Sequence, residues 1–567
     1  MSEQPTTKVI GLIVLAKQDA PAAMRVIGGR RVIEHVIERM RNVRGVAELM
    51  VVTDGDGGAA DGEMDAADAT DAAVGAASDA GVRVVRTERA MMLGAGRTAR
   101  AWSGTTWRGG IGGATVYDEV IDAKALAEVM RPRKPDAARK SDAARKWDAA
   151  LIVGATWPLL DSALCGRLIE RHLENVTEFK LVFTQSPPGL AGVVVTAELL
   201  EQMAEASGGG ASIGHLLDYN PTHPQGDPIA RDICVQIGPE LRQAKVRAIA
   251  GAKRWETLMR AAPPEVWKDG EAAAAWMARK LEERGHAQPG MVTVELTTKR
   301  PPEVETKGLL RIAADRADMT LERAKTLFAE LAEIDDVAVM FGGAGDPLCH
   351  PHWAEMVRMA RDAGIRAIAV DTDLNVDATT VEQLIESGVD VVKVRINADS
   401  REMYERMMGV DAFERVGANV QRLLQHRLAG APGSKPGSDK ALWVVPTMVK
   451  TRENVTELES FVDRWSYFAG AVLVEGPPPP EVLAEGIGDL AVMDMAPPRR
   501  FACRQLTGRL TVLSDGRVAR CDQDVRGACA MSGSVTEGWE RIGALRVAQR
   551  EGKYEGICET CRQWHRP

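Results

Sequence analysis

The chain lacks the features that define three broad classes of protein. No apolar run reaches the length needed to cross a membrane, and the apolar stretch near the N-terminus is too short for a secretion signal. Lys and Arg number 71 against 80 Asp and Glu, so there is no positive excess to neutralise phosphates. We therefore expect a cytoplasmic protein with no membrane span and no nucleic-acid partner.

Cysteine is also scarce, and its placement is uneven. Eight cysteines in 567 residues are too few for a disulfide scaffold. Cys165, Cys234 and Cys349 are scattered, whereas the other five lie in the last 65 positions. Crowding of thiols in a reducing compartment predicts metal ligation near the C-terminus.

The length predicts about three or four domains, and a hydrophobic content of 45% with 27% charged residues is typical of a globular chain. Residues 1–260 alternate β-branched runs with amphipathic stretches, which predicts an α/β sheet domain. Two low-complexity inserts, 54–81 and 135–150, carry little apolar surface. We expect both inserts to be flexible or weakly helical.

Residues 286–480 follow a helical connector at 264–285 and show a more regular pattern. Six strand-like runs alternate with helical patterns, and right-handed β-α crossovers of this number build an open partial barrel. A shorter cysteine-rich segment, 495–567, follows. The predicted fold class is thus α/β: a sheet domain, a central partial (β/α)6 TIM-type barrel and a small C-terminal domain.

The C-terminal cysteines fall into two pairs. Cys503 and Cys521 flank "RLTVLSDGRVAR", a hairpin pattern with an Asp-Gly turn, and Cys558 and Cys561 form a CxxC. The hairpin brings its base residues together, so these four thiolates form a candidate set for a [4Fe–4S] cluster or a structural zinc ion. Spacing alone leaves both metals open, as well as four buried thiols without metal. Cys529 is a fifth thiol without a matching partner.

This spacing resembles a known domain. Cys503, then Gly516 and Cys521, then the late "CETCRQW" are similar to the SPASM domain that is appended to radical SAM enzymes. That domain binds auxiliary iron–sulfur clusters. The resemblance implies one [4Fe–4S] cluster on Cys503, Cys521, Cys558 and Cys561, and favours iron over zinc.

The barrel also resembles the radical SAM core, except after its first strand. "FGGAGDPLCHPHW" is similar to the Gly-Gly-Glu-Pro segment that contacts the amino group of S-adenosylmethionine, which implies cofactor binding by Gly342, Gly343, Gly345 and Asp346. The family's CxxxCxxC triplet should follow "MVTVELTT", but this chain has no cysteine between Cys234 and Cys349. The resemblance therefore implies a barrel that has lost its usual radical initiation. In "CHPH", Cys349, His350 and His352 are a candidate replacement site, or a loop that caps the next helix.

The first domain resembles nucleotidyltransferases of the cytidylyltransferase type, including spore-coat polysaccharide proteins. The resemblance rests on "KVIGLIVLAKQDAPAAMRVIGGRRVIEHVIERM" and "VGATWPLLDSALCGRLIERHLEN". It implies phosphate contacts from Lys17 and Arg25. The glycines of the phosphate loop are missing, and Ala155 and Thr156 stand where the family has a metal-binding carboxylate.

Two hypotheses about function follow. The first is an iron–sulfur protein without radical initiation, an accessory or scaffold in peptide or surface-polysaccharide modification, whose partner is a protein, a peptide or a nucleotide sugar. The second is a working enzyme, either a nucleotidyltransferase or an atypical S-adenosylmethionine or redox enzyme. The sequence leaves open the substrate, the oligomeric state, the role of Cys529 and whether any catalysis remains.

Overall fold

The computed structural model describes residues 7–54, 64–87, 120–131, 147–206, 210–212, 232–242, 244, 246–284, 287–334, 337–365, 367–429, 442–469, 472–494 and 496–565. None of the helices in these ranges combines the length and the apolar character that crossing a membrane requires.

The N-terminal part is built on a six-stranded sheet with the order β5-β4-β1-β7-β9-β8. The first four strands in this order pair in parallel, and β9 pairs antiparallel with β7 and β8. The strands of this part, which include two short pairs outside the sheet, are β1 Val9–Leu15, β2 Val26–Ile27, β3 Arg30–Arg31, β4 Val46–Asp54, β5 Arg83–Thr87, β6 Val120–Asp122, β7 Ala149–Gly154, β8 Leu181–Val182, β9 Val193–Thr196 and β10 Gly210–Ser212.

Helices cover both faces of this sheet, and a separate apolar core lies on each face. The helices are α1 Ala20–Met24, α2 Val32–Arg41, α3 Met64–Asp79, α4 Ala123–Met130, α5 Ser162–Glu174, α6 Ala197–Ala206, α7 Pro239–Arg242, α8 Lys253–Arg260 and α9 Gly270–Arg284. The carboxylate of Asp161 accepts a hydrogen bond from the Leu164 amide and caps α5.

The first low-complexity insert is more ordered than the sequence predicts. Its residues 64–79 form α3, and the side chains of Ala73 and Ala77 are fully buried in the core. Alanine has the highest helix propensity and loses no side-chain entropy on burial, so an alanine-rich segment can pack where few large side chains are available. Residues 132–146, which hold most of the second insert, lie outside the described residues.

The barrel prediction is confirmed strand by strand. Six consecutive parallel strands pair in chain order. They are β11 Met291–Val294, β12 Ala338–Phe341, β13 Ala367–Thr372, β14 Val391–Arg395, β15 Trp443–Val449 and β16 Leu473–Glu475. The helices of this part are α10 Pro302–Lys307, α11 Leu321–Ile334, α12 Trp353–Asp362, α13 Ala378–Glu386, α14 Arg401–Met408, α15 Phe413–Ala429 and α16 Leu458–Ala469.

The C-terminal hairpin continues the barrel sheet. Its strands are β17 Arg509–Val512 and β18 Val518–Ala519, and the helices α17 Val535–Arg550 and α18 Ile557–Thr560 follow. β17 pairs in parallel with β11 and antiparallel with β18, which makes a sheet of eight strands. The hairpin therefore covers the edge of the first barrel strand. The cysteine-rich segment is thus fixed beside the barrel mouth.

Candidate functional site

The four predicted metal ligands lie around the hairpin and α18. Cys503 precedes β17, Cys521 follows β18 by two residues, and Cys558 and Cys561 lie in and directly after α18. The hairpin reverses as predicted: the Gly516 amide donates to the Leu513 carbonyl at 2.8 Å, with Gly516 at φ +86°.

The thiols of these cysteines act on one another electrostatically. Cys558 and Cys561 raise the pKa of Cys503, and Cys503 and Cys561 raise the pKa of Cys521. Cys561 also raises the pKa of Cys558. Burial raises the pKa of Cys503 to about 11 and raises the pKa of Cys521 and of Cys558 as well. Five of the six possible pairs are therefore close enough to interact, so the four thiols lie in one region.

Polar groups hold the backbone around these thiols. The Cys503 amide donates to Gln549 Oε1 at 2.8 Å. The Arg500 guanidinium donates to the carbonyls of Cys558 and Glu559. Arg520 donates to the Cys558 thiol, and its own position is fixed by an ion pair with Glu555 at 2.7 Å.

Cys529 lies next to this group as a fifth thiol. It acts electrostatically on Cys558, and its Sγ would be 3.0 Å from a Cβ added at Gly556, which has φ +57°. Within the described ranges, no group of three or more His, Cys, Asp or Glu side chains is arranged to hold a metal ion as the side chains now lie.

A cavity of about 130 Å³ opens at the barrel mouth beside this segment. Its walls come from the carboxyl ends of the barrel strands and from the C-terminal segment. Its polar and charged lining residues are Thr293, Glu295, Arg300, Asp371, Lys393, Arg395, Asn397, Glu475, Arg509, Thr511, Asp522 and Gln523. Ligand sites of nucleoside size usually exceed about 300 Å³, so the cavity is small for S-adenosylmethionine.

A buried ion pair occupies the first-strand side of the mouth. Glu295, directly after β11, is fully buried and accepts both Nε and Nη2 of Arg316 at 2.9 and 2.7 Å. The same carboxylate accepts the amides of Ala344 and Ser514. Glu295 thus joins β11, the glycine-rich segment and the C-terminal hairpin through one side chain.

A second network lies across the next strands. Arg300 forms two hydrogen bonds with Asp373 at 2.9 and 2.6 Å, and Arg395 Nε lies 3.1 Å from Asp373. Lys393 bridges Asp371 and Glu475 at 3.0 and 2.9 Å. Burial alone would raise the pKa of Asp373, but Arg300 and Arg395 outweigh burial and lower it.

The predicted cofactor-binding residues divide into two pairs. Gly342 and Gly343 line the cavity, whereas Gly345 and Asp346 do not. A Cβ at Gly345 would lie 2.3 Å from the Thr297 carbonyl, so Gly345 permits close packing of the loop after β11. Asp346 is fully buried and accepts hydrogen bonds from Leu348 N, Thr372 Oγ1 and Asp373 N. Cofactor binding by these four residues stays a prediction.

The Asp346 carboxyl gives the barrel a specific pH dependence. Burial, and then the Asp373 carboxylate, raise the pKa of Asp346 to about 6, against about 3.9 in an unfolded chain. Between about pH 4 and 6 the folded state therefore binds more protons at this carboxyl than the unfolded state does. The stabilisation that comes from protonated Asp346 is complete below about pH 4 and is lost as the pH rises through about 6.

We expect Asp346→Asn to lower the free energy of unfolding by about 1–3 kcal/mol, because an amide donor replaces one of two accepting oxygens. The difference in the free energy of unfolding between variant and wild type should narrow from pH 5 to pH 7. Only the wild type loses the stabilisation from protonated Asp346 over this range. Urea unfolding at both pH values measures it. A deficit that is constant or grows with pH would contradict the assignment.

The Cys349, His350 and His352 segment serves the fold. His350 is buried, with Nε2 3.0 Å from the Met319 carbonyl and Nδ1 accepting the His352 amide at 3.1 Å. Burial raises the pKa of Cys349 to about 12. Both ring nitrogens of His350 are engaged with backbone groups, whereas His352, the residue before α12, makes no side-chain hydrogen bond that caps the helix.

The predicted phosphate contacts of the first domain lie in different settings. Arg25 forms an ion pair with the buried carboxylate of Glu256, and the Lys17 amide donates to Asp54 Oδ2 at 3.3 Å. Ala155 and Thr156 are both buried. The Arg25 guanidinium is therefore held by the protein's own carboxylate.

Comparison with known families gives one match, which lies in the barrel. Residues 309–430 match the Radical SAM superfamily. The match begins after the loop that would carry the three cysteines of that family, and it covers β12, β13 and β14. This part of the barrel is therefore similar to the radical SAM core, in agreement with the resemblance. The SPASM part of the resemblance and the loss of radical initiation stay predictions.

Three curated relatives are similar to parts of the chain. An uncharacterized protein of Treponema pallidum (strain Nichols) is 23% identical over 44% of this chain and 70% of its own length. An AdoMet-dependent heme synthase of Methanosarcina barkeri (strain Fusaro / DSM 804) is 28% identical over 21% of this chain and 34% of its own. A GTP 3',8-cyclase of Chlorobaculum tepidum is 32% identical over 17% of this chain and 30% of its own length. The chain spans about a third of each named enzyme.

Two solved structures show how far the likeness extends. SuiB of Streptococcus suis, bound to S-adenosylmethionine, is 13% identical with a TM-score of 0.34, covering 47% of this chain and 69% of that one. A cytidylyltransferase from Leptospira borgpetersenii is 12% identical with a TM-score of 0.30, and the match covers 49% of this chain and 94% of that one. The strand order of this chain, with helices between parallel strands, confirms the predicted α/β fold class.

Sequence reasoning missed the ion pairs of the barrel mouth. A signal was available, because charged residues interrupt or directly follow otherwise apolar strands: Glu295, Asp371, Lys393, Arg395 and Glu475. The carboxyl ends of barrel strands are where functional residues collect. Which acid would meet which base could not be derived, since the partners come from different strands.

Proposed function

We propose that this chain binds one [4Fe–4S] cluster through Cys503, Cys521, Cys558 and Cys561, and that its barrel does not initiate radical chemistry. It would act as an accessory or scaffold protein in the modification of a peptide or a surface polysaccharide. The observation that carries the proposal is that the fold places these four thiols in one region, beside a barrel that matches the radical SAM superfamily.

The donor set is chemically suited to either of two metal centres, because four thiolates ligate [4Fe–4S] clusters or structural zinc. The resemblance of the C-terminal segment to the SPASM domain favours the cluster.

The loop after β11 does not fit the cluster that the radical SAM family carries there. Residues 295–300 read "ELTTKR", and none of these side chains is a thiolate, the ligand that iron–sulfur clusters require. Glu295 and Arg300 are instead engaged in buried ion pairs with Arg316 and Asp373. The charges of both side chains are therefore neutralised within the protein.

A bound cluster supplies one-electron redox chemistry or a rigid covalent crosslink. The residues around it have separate tasks. Arg520 places a positive charge against the Cys558 sulfur, which offsets the negative charge of four thiolates. Arg500 and Gln549 fix the backbone of Cys558 and Cys503. The four thiols must lose their protons on binding, so metal uptake releases protons.

The alternative is an active S-adenosylmethionine enzyme, which the radical SAM match and the exposure of Gly342 and Gly343 to the cavity favour. The test is an anaerobic assay of the reconstituted chain with S-adenosylmethionine and dithionite, run beside a radical SAM enzyme as positive control. We expect no 5′-deoxyadenosine above the rate without protein. Multiple turnovers by the wild type that persist in Cys558→Ser would refute the loss of initiation.

A further inference from the structure

The barrel-mouth cavity has a charged lining whose charges balance. Four of its lining residues are basic and four are acidic. Each of the eight has a partner of opposite charge: besides the pairs described above, Arg395 Nε lies 3.5 Å from Asp371 Oδ1, and Arg509 Nη1 lies 3.8 Å from Asp522 Oδ2. A charged ligand would add an excess charge to this balanced set, and a buried charge without compensation is destabilising. The lining therefore favours a ligand without net charge.

Some hydrogen-bonding capacity of this lining is left over by the protein's own contacts. The Lys393 ammonium donates to Asp371 Oδ2 and Glu475 Oε2 at 3.0 and 2.9 Å, and an ammonium has a third donor. Gln523 is 9% exposed. Within the described part of the chain, no hydrogen bond reaches Gln523 Oε1 or Asp371 Oδ1. Because buried acceptors without a donor are unfavourable, the lining favours a ligand with groups that both donate and accept.

Asp522 is the most exposed of the four acidic side chains, at 20%. Its Oδ1 accepts hydrogen bonds from the hydroxyls of Thr293 and Thr511 at 3.5 and 3.2 Å, so β11 and β17 hold the carboxylate in place. Its Oδ2 is 3.8 Å from Arg509 Nη1, which is beyond hydrogen-bond distance. This separation leaves the second oxygen room to accept from a hydroxyl of a ligand.

The same cavity also has apolar walls, which include Leu310, Met340, Leu473 and Leu513. A sugar ring has apolar C–H faces and a rim of hydroxyls, each of which donates and accepts. A neutral polyhydroxylated ring therefore matches both parts of the lining, whereas an inorganic anion matches neither the apolar walls nor the charge balance. The cavity volume of about 130 Å³ suits one ring and lies below the range of about 300–1,000 Å³ for sites of larger ligands.

We propose that the barrel-mouth cavity binds a neutral polyhydroxylated ring, a monosaccharide or a cyclitol, through Lys393, Asp522 and Gln523. The inference rests on the proposed function: it names the small-molecule class for a role in surface-polysaccharide modification, and it requires a barrel mouth that does not hold S-adenosylmethionine. Asp522 and Gln523 directly follow Cys521, so the ring binds beside the segment that carries the four thiols.

The test measures binding to the full chain by saturation-transfer difference NMR. The neutral ligands are D-glucose, D-galactose, D-mannose, N-acetyl-D-glucosamine and myo-inositol, which separate a sugar from a cyclitol. The charged comparison ligands are glycine, inorganic phosphate and S-adenosylmethionine, with their binding followed by competition against the best neutral ring. We expect at least one neutral ring to bind with a Kd of about 1 mM or lower, and each charged ligand to bind at least about tenfold more weakly.

Two variants locate the ring in the cavity. Gln523→Met keeps the size of the side chain and removes its amide, and we expect it to raise the Kd about tenfold because hydrogen bonds to the ring are lost. Asp522→Asn keeps the shape of the side chain and should weaken binding in the same direction. The matched control is Gln383→Met, at an exposed glutamine of α13, which should bind like the wild type. Urea unfolding of all three variants shows whether the fold is kept.

The outcomes separate this inference from the cluster proposal. No binding of any neutral ring at about 10 mM, or a Kd that Gln523→Met and Asp522→Asn leave unchanged in folded protein, overturns the inference. Phosphate, glycine or S-adenosylmethionine binding as tightly as the best neutral ring also overturns it. The iron content is measured on the same sample: iron-free protein that binds a ring supports the cavity while refuting the cluster, and protein with about four irons that binds no ring overturns the cavity alone.

Discussion

Replacing Cys558 by serine is expected to remove the iron of the reconstituted protein. Cys558 is coupled to Cys503 and Cys561 and accepts a hydrogen bond from Arg520, so it is central to the proposed set of ligands. A serine hydroxyl is not a thiolate and binds iron poorly. We expect iron to fall from about four per chain to below about one, with loss of the visible absorbance of the cluster.

The matched controls are two of the four cysteines outside the set. Cys529→Ser changes a thiol next to Cys558, and Cys349→Ser changes one beside the barrel mouth. Both variants should keep the iron content of the wild type. Full iron in Cys558→Ser would exclude Cys558 as a ligand, and complete loss in Cys529→Ser would show that the set contains Cys529.

The second large effect is expected at Arg316. Its side chain is 6% exposed and faces the fully buried carboxylate of Glu295. Arg316→Ala leaves that carboxylate without its cation, and breaking a buried pair from one side costs about 3–5 kcal/mol. The same arginine also donates to the Val525 carbonyl at 2.7 Å, so the contact between the barrel and the C-terminal segment weakens too. Urea unfolding measures the loss.

Two comparisons make this result specific. Lys299→Ala removes an exposed ion pair with Asp318 and should have a much smaller effect, because water screens it. The double variant Glu295→Gln/Arg316→Met removes both charges, and we expect it to be more stable than Arg316→Ala. Equal losses in Arg316→Ala and Lys299→Ala would mean that the pair does not stabilise the mouth.

The barrel strands could be predicted because their evidence is local. Each is a short apolar run with a helical pattern after it, and pairing between neighbours in sequence follows from crossover rules. The pairing of β17 with β11 was not predicted. It joins Met291–Val294 to Arg509–Val512, and the local pattern of either strand does not indicate a partner more than two hundred residues away.

The candidate site was predictable to the same extent. The two cysteine pairs are visible in the sequence because a hairpin and a CxxC each bring thiols together locally. The pairs Glu295–Arg316 and Arg300–Asp373 are separated by 21 and 73 residues, and the folded barrel brings them together. These ion pairs therefore emerged from the structure, whereas the missing cysteine triplet, which carries the argument against radical initiation, is visible in the sequence.

The iron, zinc and acid-labile sulfide content of anaerobically prepared wild-type chain tests the central claim most directly. One cluster held by four converging thiols predicts about four irons and four sulfides per chain, with no zinc. Zinc in place of iron, or no metal at all, would contradict the cluster. About eight irons would contradict the single cluster, because a second cluster would then be bound elsewhere in the chain.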